Sequence, residues 1–308
     1  MPLDSSRRKT GFLSSTPRTY ASCGPQSVRV HVSAVSRRLR ANIVLLSAAW
    51  CLILGLLLVP GALSAEEPTP AFSLLQKRPL PFLPGEKLTY EISWSNIVNA
   101  GVAVMEVTEV KTPDRGTVLE LITTARSVGM VDAVYPVNDI VRSLFDPRSL
   151  QSLAFNLSES HGKRKRQRDT VFDHEARTAI SRVNNGPSEV LTIPENVQDA
   201  LSAMYYLRTR DAFSIGKPII IQVVDSGKTW SVEVHVLGRE TVKTPAGEFA
   251  TIKVKTFPKY EGVFMNKGEI FIWLTDDSRK LPVLMKSTIT IGSIVSTLTE
   301  VRTGPAAH

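Results

Sequence analysis

A mainly β architecture, built as a strongly curved antiparallel sheet or incomplete barrel with one amphipathic helix packed on it, is what the sequence predicts. Three observations predict it. Short apolar/polar alternations recur along most of the chain at roughly 8–12-residue spacing. Turn-forming residues separate many of them. A single segment between them carries helical period instead.

The first alternation is Leu88, Tyr90, Ile92 and Trp94 against Thr89, Glu91 and Ser93, the period-2 signature of a half-buried strand. Strands over 102–110 and 117–124 follow, joined by Thr112-Pro-Asp-Arg-Gly116, where Pro presets φ and Gly supplies positive φ. Further strands are predicted at 138–145, 150–158, 167–173 and 178–183. After the helix they resume at 217–224, 229–238, 239–244, 247–257, 268–275, 282–290 and 293–301. Turn signals include Asn184-Asn-Gly-Pro187, Asp225-Ser-Gly227 and Pro245-Ala-Gly247.

The helix is predicted over Pro194–Arg210. Pro194 suits a first turn, and Glu195 and Asp199 lie near the positive end of the helix. Val197, Ala200, Leu201, Met204, Tyr205 and Leu207 share one face; Asp199, Ser202 and Tyr206 share the opposite one. The apolar face must pack on the sheet or inside a barrel.

Before the sheet comes an uncharged run, Ala41 to Ala65, with Arg37, Arg38 and Arg40 ahead of it and Glu66 and Glu67 behind. Basic flank, apolar stretch, Pro60-Gly61 break and small residues together read as an export signal. Cleavage after Ser64 or Ala65 is expected. The competing reading is an uncleaved inner-membrane anchor through Asn42–Val59, since about 20 apolar residues span a bilayer. Trp50 before Cys51 is too bulky for a lipid-attachment site. The organisation expected is an N-terminal extension and signal over 1–65 and a Pro-rich linker over 66–84. A single β-rich domain over 85–302 and a tail over 303–308 follow.

Charge follows the same division. The chain carries 37 Lys+Arg and 29 Asp+Glu, of which eight bases and one acid precede residue 66, leaving 29 against 28. A near-neutral domain offers no nucleic-acid footprint. Both cysteines, Cys23 and Cys51, lie in the leader, so the domain has no thiol nucleophile and no cysteine metal site. His161, His174, His235 and His308 show no metal-ligand spacing, and no Gly-x-Ser-x-Gly elbow or phosphate loop occurs. No catalytic residue, metal or cofactor is expected, and an enzyme is not.

The stretches Pro84-Gly-Glu-Lys-Leu-Thr-Tyr-Glu-Ile-Ser-Trp94, Asn99-Ala-Gly101, Asp199–Arg208, Thr244-Pro-Ala-Gly-Glu-Phe249, Ile272-Trp-Leu-Thr-Asp-Asp277 and Leu281-Pro-Val283 come in this order. Together they resemble the bacterial exported family known as domain of unknown function 3108, over about residues 80–302. The resemblance implies an exported β-rich domain and supplies no activity. A looser likeness to periplasmic lipid and lipoprotein carriers, in which a curved sheet wraps a helix, concerns fold alone.

Three candidate sites remain. Asp276-Asp277 reads either as a carboxylate pair or as a hairpin turn. His161-Gly-Lys-Arg-Lys-Arg-Gln-Arg168 reads as a contact for anionic headgroups or as a solvated hairpin. Arg208 falls near the centre of the helix's apolar face, where a guanidinium needs a partner, from the protein or from a ligand. The reading that follows is a non-enzymatic binder of a lipid, acyl chain or glycan precursor, located in the periplasm or cell envelope. Trp94, Trp273, Met204 and Tyr205 would line its concavity and Arg208 would meet a polar head. The alternative is a protein-interaction module with a filled core and an envelope protein as partner.

Overall fold

The computed structural model describes residues 79–260, 263–264, 269–288 and 292–304. The leader, both cysteines, the predicted cleavage sites and linker residues 66–78 lie outside the described residues. Among the described residues, no helix is long and apolar enough to cross a membrane.

The first half of the domain is an antiparallel meander of β1 (Lys87–Trp94), β2 (Val98–Thr112), β3 (Gly116–Ser127), β4 (Val137–Asp146), β5 (Gln151–His161), β6 (Arg164–Asp173), β7 (Thr178–Val183) and β8 (Ser188–Thr192). A one-and-a-half-turn helix, α1 (Gly129–Val134), links β3 to β4. The chain then enters the short β9 (Gln198–Asp199) and α2 (Ser202–Arg208). The second half runs through β10 (Ile219–Asp225), β11 (Lys228–Thr244), β12 (Gly247–Tyr260), β13 (Val263–Phe264), β14 (Ile270–Thr275), β15 (Pro282–Thr288) and β16 (Ser293–Arg302).

One sheet contains all of these strands. Its order is β8-β7-β6-β5-β4-β3-β2-β1-β16-β15-β14-β12-β11-β10-β9, with β13 paired to β12. The first and last strands therefore meet in the middle, Tyr90 opposite Leu298, and the sheet stays open with β8 and β9 as its edges. The expected curved antiparallel sheet is what forms. Its curvature shows in contacts between strands far apart in that order: Arg168 on β6 reaches Asp225 on β10, and Asp199 on β9 reaches Ser143 on β4 and Ser152 on β5.

Local sequence explains most elements. On β1 the buried residues are Leu88, Tyr90 and Ile92, the alternation read from the sequence. The break predicted near residue 238 is a β-bulge between Val236 and Gly238, not a strand end, so β11 continues through it. Among the described residues, four elements were not expected: β8, β9, β13 and α1. The edge strand β8 is exposed along nearly its whole length, and α1 buries no residue.

The helix differs from its prediction. It begins at Ser202, not near Pro194. Asn196 has φ 54°, which breaks helical continuation, and Gln198 and Asp199 pair in parallel with Val223 and Val224. Asp199 then starts α2 with a reciprocal cap: its Oδ1 accepts from the Ser202 N–H at 2.8 Å, and its own N–H donates to Ser202 Oγ at 2.9 Å. Asp199 and Ser202, expected opposite the apolar face, are both fully buried.

Packing of the domain begins before residue 85. Phe82 is buried and meets the Tyr205 ring edge-on at 4.9 Å. Both apolar clusters lie between Phe82 and Leu298, and every strand lies within 87–302. A chain beginning at Glu66 thus keeps every strand and both core clusters of the described residues.

Gly101 marks a close approach of β2 to β3. A Cβ there would stand 2.5 Å from the Arg126 carbonyl oxygen, which is backbone and has no freedom to swing away. Gly101→Ala should cost about 1–3 kcal/mol, the usual penalty of overpacking. Urea midpoints with an unchanged m-value would check it; an unchanged midpoint would show that β3 yields freely.

Candidate functional site

The interior holds a cavity of about 100 Å³ between the two halves of the sheet. Met105, Thr123 and Val141 line it from the first half. Val223, Val232, Ile272, Met285 and Ile294 line it from the second, and Ala203, Met204 and Leu207 from α2. The walls are almost wholly apolar. The exceptions are Thr123 on β3, Thr256 on β12, and Lys286, Ser287 and Ser296. The Thr123 and Thr256 hydroxyls are buried and have no hydrogen-bond partner among the described residues. An unpaired buried hydroxyl costs about 1–3 kcal/mol, so each has a reason to meet a guest.

The cavity runs to one end of the strands. Register places Thr256, Ile270, Ser287, Ile294 and Trp94 in one cross-strand row. Ile270, Lys286 and Ser287, which also line the cavity, are partly or fully exposed there.

The opposite end is plugged around Arg208. Its guanidinium donates to both oxygens of Glu86, at 2.6 and 2.8 Å, to the Pro81 carbonyl at 3.1 Å and to the Arg279 carbonyl at 3.2 Å. The Phe82 and Tyr205 rings flank it at 5.2 and 5.3 Å. Burial works against its charge, but the Glu86 carboxylate more than offsets that, and the guanidinium is held above its ordinary range. Burial, with Glu86 second, likewise pushes the Tyr205 phenol up and keeps it neutral.

Of the five residues expected in a ligand site, Met204 alone lines this cavity. Trp94 stands on its end row. Tyr205 and Arg208 belong to the plug, where the guanidinium's partner is the protein's own Glu86. Trp273 lies on the other face of β14 from the cavity-lining Ile272, with its indole N–H donating to Glu240 and Lys253 over the ring at 4.8 Å. Helical period put Arg208 and Met204 on the inward face of the helix, where Arg208 is buried and Met204 half-buried. An isolated Trp on a strand gave no sign of which face it takes.

The remaining candidates resolve into turns and ion pairs. Asp277 accepts from Thr275 Oγ1 at 2.6 Å and from the Arg279 and Lys280 N–H groups, while Asp276 pairs with Arg239 at 2.7 Å. This is the hairpin-turn reading. The basic run divides: His161 is buried against Asp139 at 2.9 Å and Arg168 against Asp225 at 2.5 Å, whereas Lys163, Arg164 and Lys165 are exposed. No group of three or more His, Cys, Asp or Glu among the described residues could hold a metal.

Comparison with known proteins agrees with this geometry. A family model described as protein of unknown function (DUF3108) matches residues 89–299. Among solved structures, a β-barrel-like protein of domain of unknown function DUF1849 from Brucella abortus superposes with TM-score 0.51 at 11% identity, covering 72% of this chain and 99% of that one. An exported-protein candidate with YmcC-like fold from Bacteroides fragilis gives TM-score 0.29 at 12% identity, over 72% and 98%. A lipoprotein candidate from Parabacteroides distasonis gives 0.30 at 12%, over 72% and 97%. The first shares the curved β fold. No curated protein matches the chain.

Proposed function

The chain belongs to the DUF3108 family of unknown function, and we propose that it is an exported envelope protein that holds an apolar or amphipathic ligand in the cavity between its sheet halves. The observation that carries this reading is the pair of unpartnered hydroxyls, Thr123 and Thr256, in a mostly apolar cavity. An acyl chain bearing an ester or amide fits that pattern. Its methylenes meet Val, Ile and Met side chains, and its carbonyl accepts from a threonine. Apolar cavities of roughly 150 Å³ take a benzene-sized guest, so about 100 Å³ holds part of an alkyl chain and the rest leaves through the open end. Arg208 takes no part, because Glu86 occupies its donors.

The test is native mass spectrometry on residues 66–308 purified from a bacterial periplasm, before and after organic extraction. A reproducible bound mass lost on extraction is expected, and reduced in Ala203→Leu, which fills the cavity from α2. Thr123→Val with Thr256→Val should stabilise the extracted protein, by removing unpaired hydroxyls, while lowering ligand retention. A clean mass under gentle conditions would refute carriage. The second reading, a protein-interaction module, then gains weight from the exposed cross-strand row Val171, Ile180 and Val190 beside the free edge β8.

A further inference from the structure

Hairpins of an antiparallel meander alternate between two ends of the sheet. One end is closed by Phe82, Glu86 and Arg208. The other carries the cavity's end row, the β1–β2 turn, α1 and the β5–β6 turn. These are continuous with one another: the Val128 N–H donates to the Ala100 carbonyl at the start of β2, and the Gly162 N–H donates to the Pro136 carbonyl just after α1.

What this end displays is unusual. Ile97 is 82% exposed, Met130 81% and Val134 48%. Ile97 is held out by a tight turn in which Ser95 and Asn96 both take positive φ, the primed geometry that suits a two-residue hairpin. Sequence near a solvated turn would ordinarily place polar residues here. Beside these apolar tips stand Arg126, Lys163, Arg164 and Lys165, all exposed and without an ion pair among the described residues. The acid within the same patch, Asp132, accepts from Ser127 Oγ at 2.6 Å.

We propose that this end docks on an anionic phospholipid bilayer, with Ile97, Met130 and Val134 entering the headgroup region and the β5–β6 turn meeting the phosphates. Separate apolar tips flanked by unpaired cations match an interface that is apolar below and anionic above. A protein partner would call for a continuous apolar face instead. Docking here brings the cavity's open end to the bilayer, where an acyl chain could pass without crossing water. The proposal extends the ligand reading but rests on a different set of residues.

Co-flotation of residues 66–308 with phosphatidylglycerol/phosphatidylethanolamine vesicles tests it, against phosphatidylcholine vesicles as the neutral surface. Flotation with the anionic vesicles is expected, weakening with salt. Each neutralised cation should lower partitioning about fivefold, so Lys163→Gln with Arg164→Gln and Lys165→Gln should lower it roughly 100-fold. Ile97→Ser with Met130→Ser should weaken binding to both vesicle types. All five positions are exposed, and circular dichroism would show each variant folded. Ala203→Leu should bind vesicles like the parent even if it has lost its ligand, which separates docking from carriage. Absence of flotation by the folded parent, or parental flotation by both variants, would overturn the proposal. So would a vesicle-free dimer that Met130→Ser dissolves, which would assign this face to a second copy of the chain.

Discussion

Arg208→Met should lower the stability of the domain by about 3–5 kcal/mol, the cost of leaving one partner of a buried ion pair alone. Glu86 is buried, and its oxygens accept both guanidinium bonds, so the methionine variant strands a carboxylate against Phe82 and Tyr205. Two carbonyls, those of Pro81 and Arg279, lose their donors as well. The pair joins three segments distant in sequence: the arm before β1, the end of α2 and the β14–β15 turn. Loss of any one therefore loosens the closed end as a unit. Arg208→Met combined with Glu86→Gln should recover much of the loss, since replacing both members of a buried pair is far cheaper than removing one. Chemical denaturation of the four members of this double-mutant cycle gives the coupling directly. If Arg208→Met proved as stable as the parent, the arm would not be anchored as the structure places it. Ligand retention should be unaffected in the double variant, because neither Arg208 nor Glu86 lines the cavity.

Most of this fold was legible because burial writes itself into alternation. Leu88, Tyr90 and Ile92 face the core, and their neighbours do not, so β1 announces itself. The same logic explains the failures. On β8, Val190 is 68% exposed and Leu191 alone is half-buried against the core, so there is no alternation to read. In α1 no residue is buried, so helical period has nothing to record. The bulge at Val236/Gly238 shifts the phase of β11 and makes one strand look like two. The N-terminal arm reads as a linker from its prolines, yet its Phe82 is buried in the core. Composition of a short segment cannot reveal a contact with Tyr205 that is more than a hundred residues away. The functional residues follow the same rule. Period alone put a charge on the apolar face at Arg208 and so demanded a partner. Only the tertiary structure supplies Glu86, and only it brings Thr123 and Thr256 to one cavity.

Asp199→Ala should be the other severe variant, costing roughly 3 kcal/mol, because several buried donors lose one acceptor together. Ser143 and Ser152 each donate to Oδ2 at 2.5 Å, and the Leu201 and Ser202 N–H groups donate to Oδ1 at 2.7 and 2.8 Å. The carboxylate thus fastens the start of α2 to β4 and β5, as Arg208 fastens its end. Asp199→Asn should cost far less. Its amide oxygen can keep the two backbone donors, and its amide hydrogens can be accepted by the two serine oxygens once those hydroxyls rotate. The pair of variants also predicts a pH dependence of known sign. Burial raises the Asp199 carboxyl above its ordinary range, and the hydrogen bonds from Ser143, Ser152, Ser202 and Leu201 reduce that rise without cancelling it. A raised carboxyl holds its proton more tightly folded than unfolded, so stability falls as pH rises from the ordinary carboxylate range through the folded value, then levels. Asp225 shifts in the same direction, against its partner Arg168, and contributes a parallel fall. Asparagine does not titrate. The difference in unfolding free energy between the parent and Asp199→Asn, measured across acid pH, isolates Asp199: the parent should lose stability relative to the variant as pH rises. A difference independent of pH, or one of opposite slope, would mean that the four donors outweigh burial and that Asp199 is an ordinary buried carboxylate held as the anion.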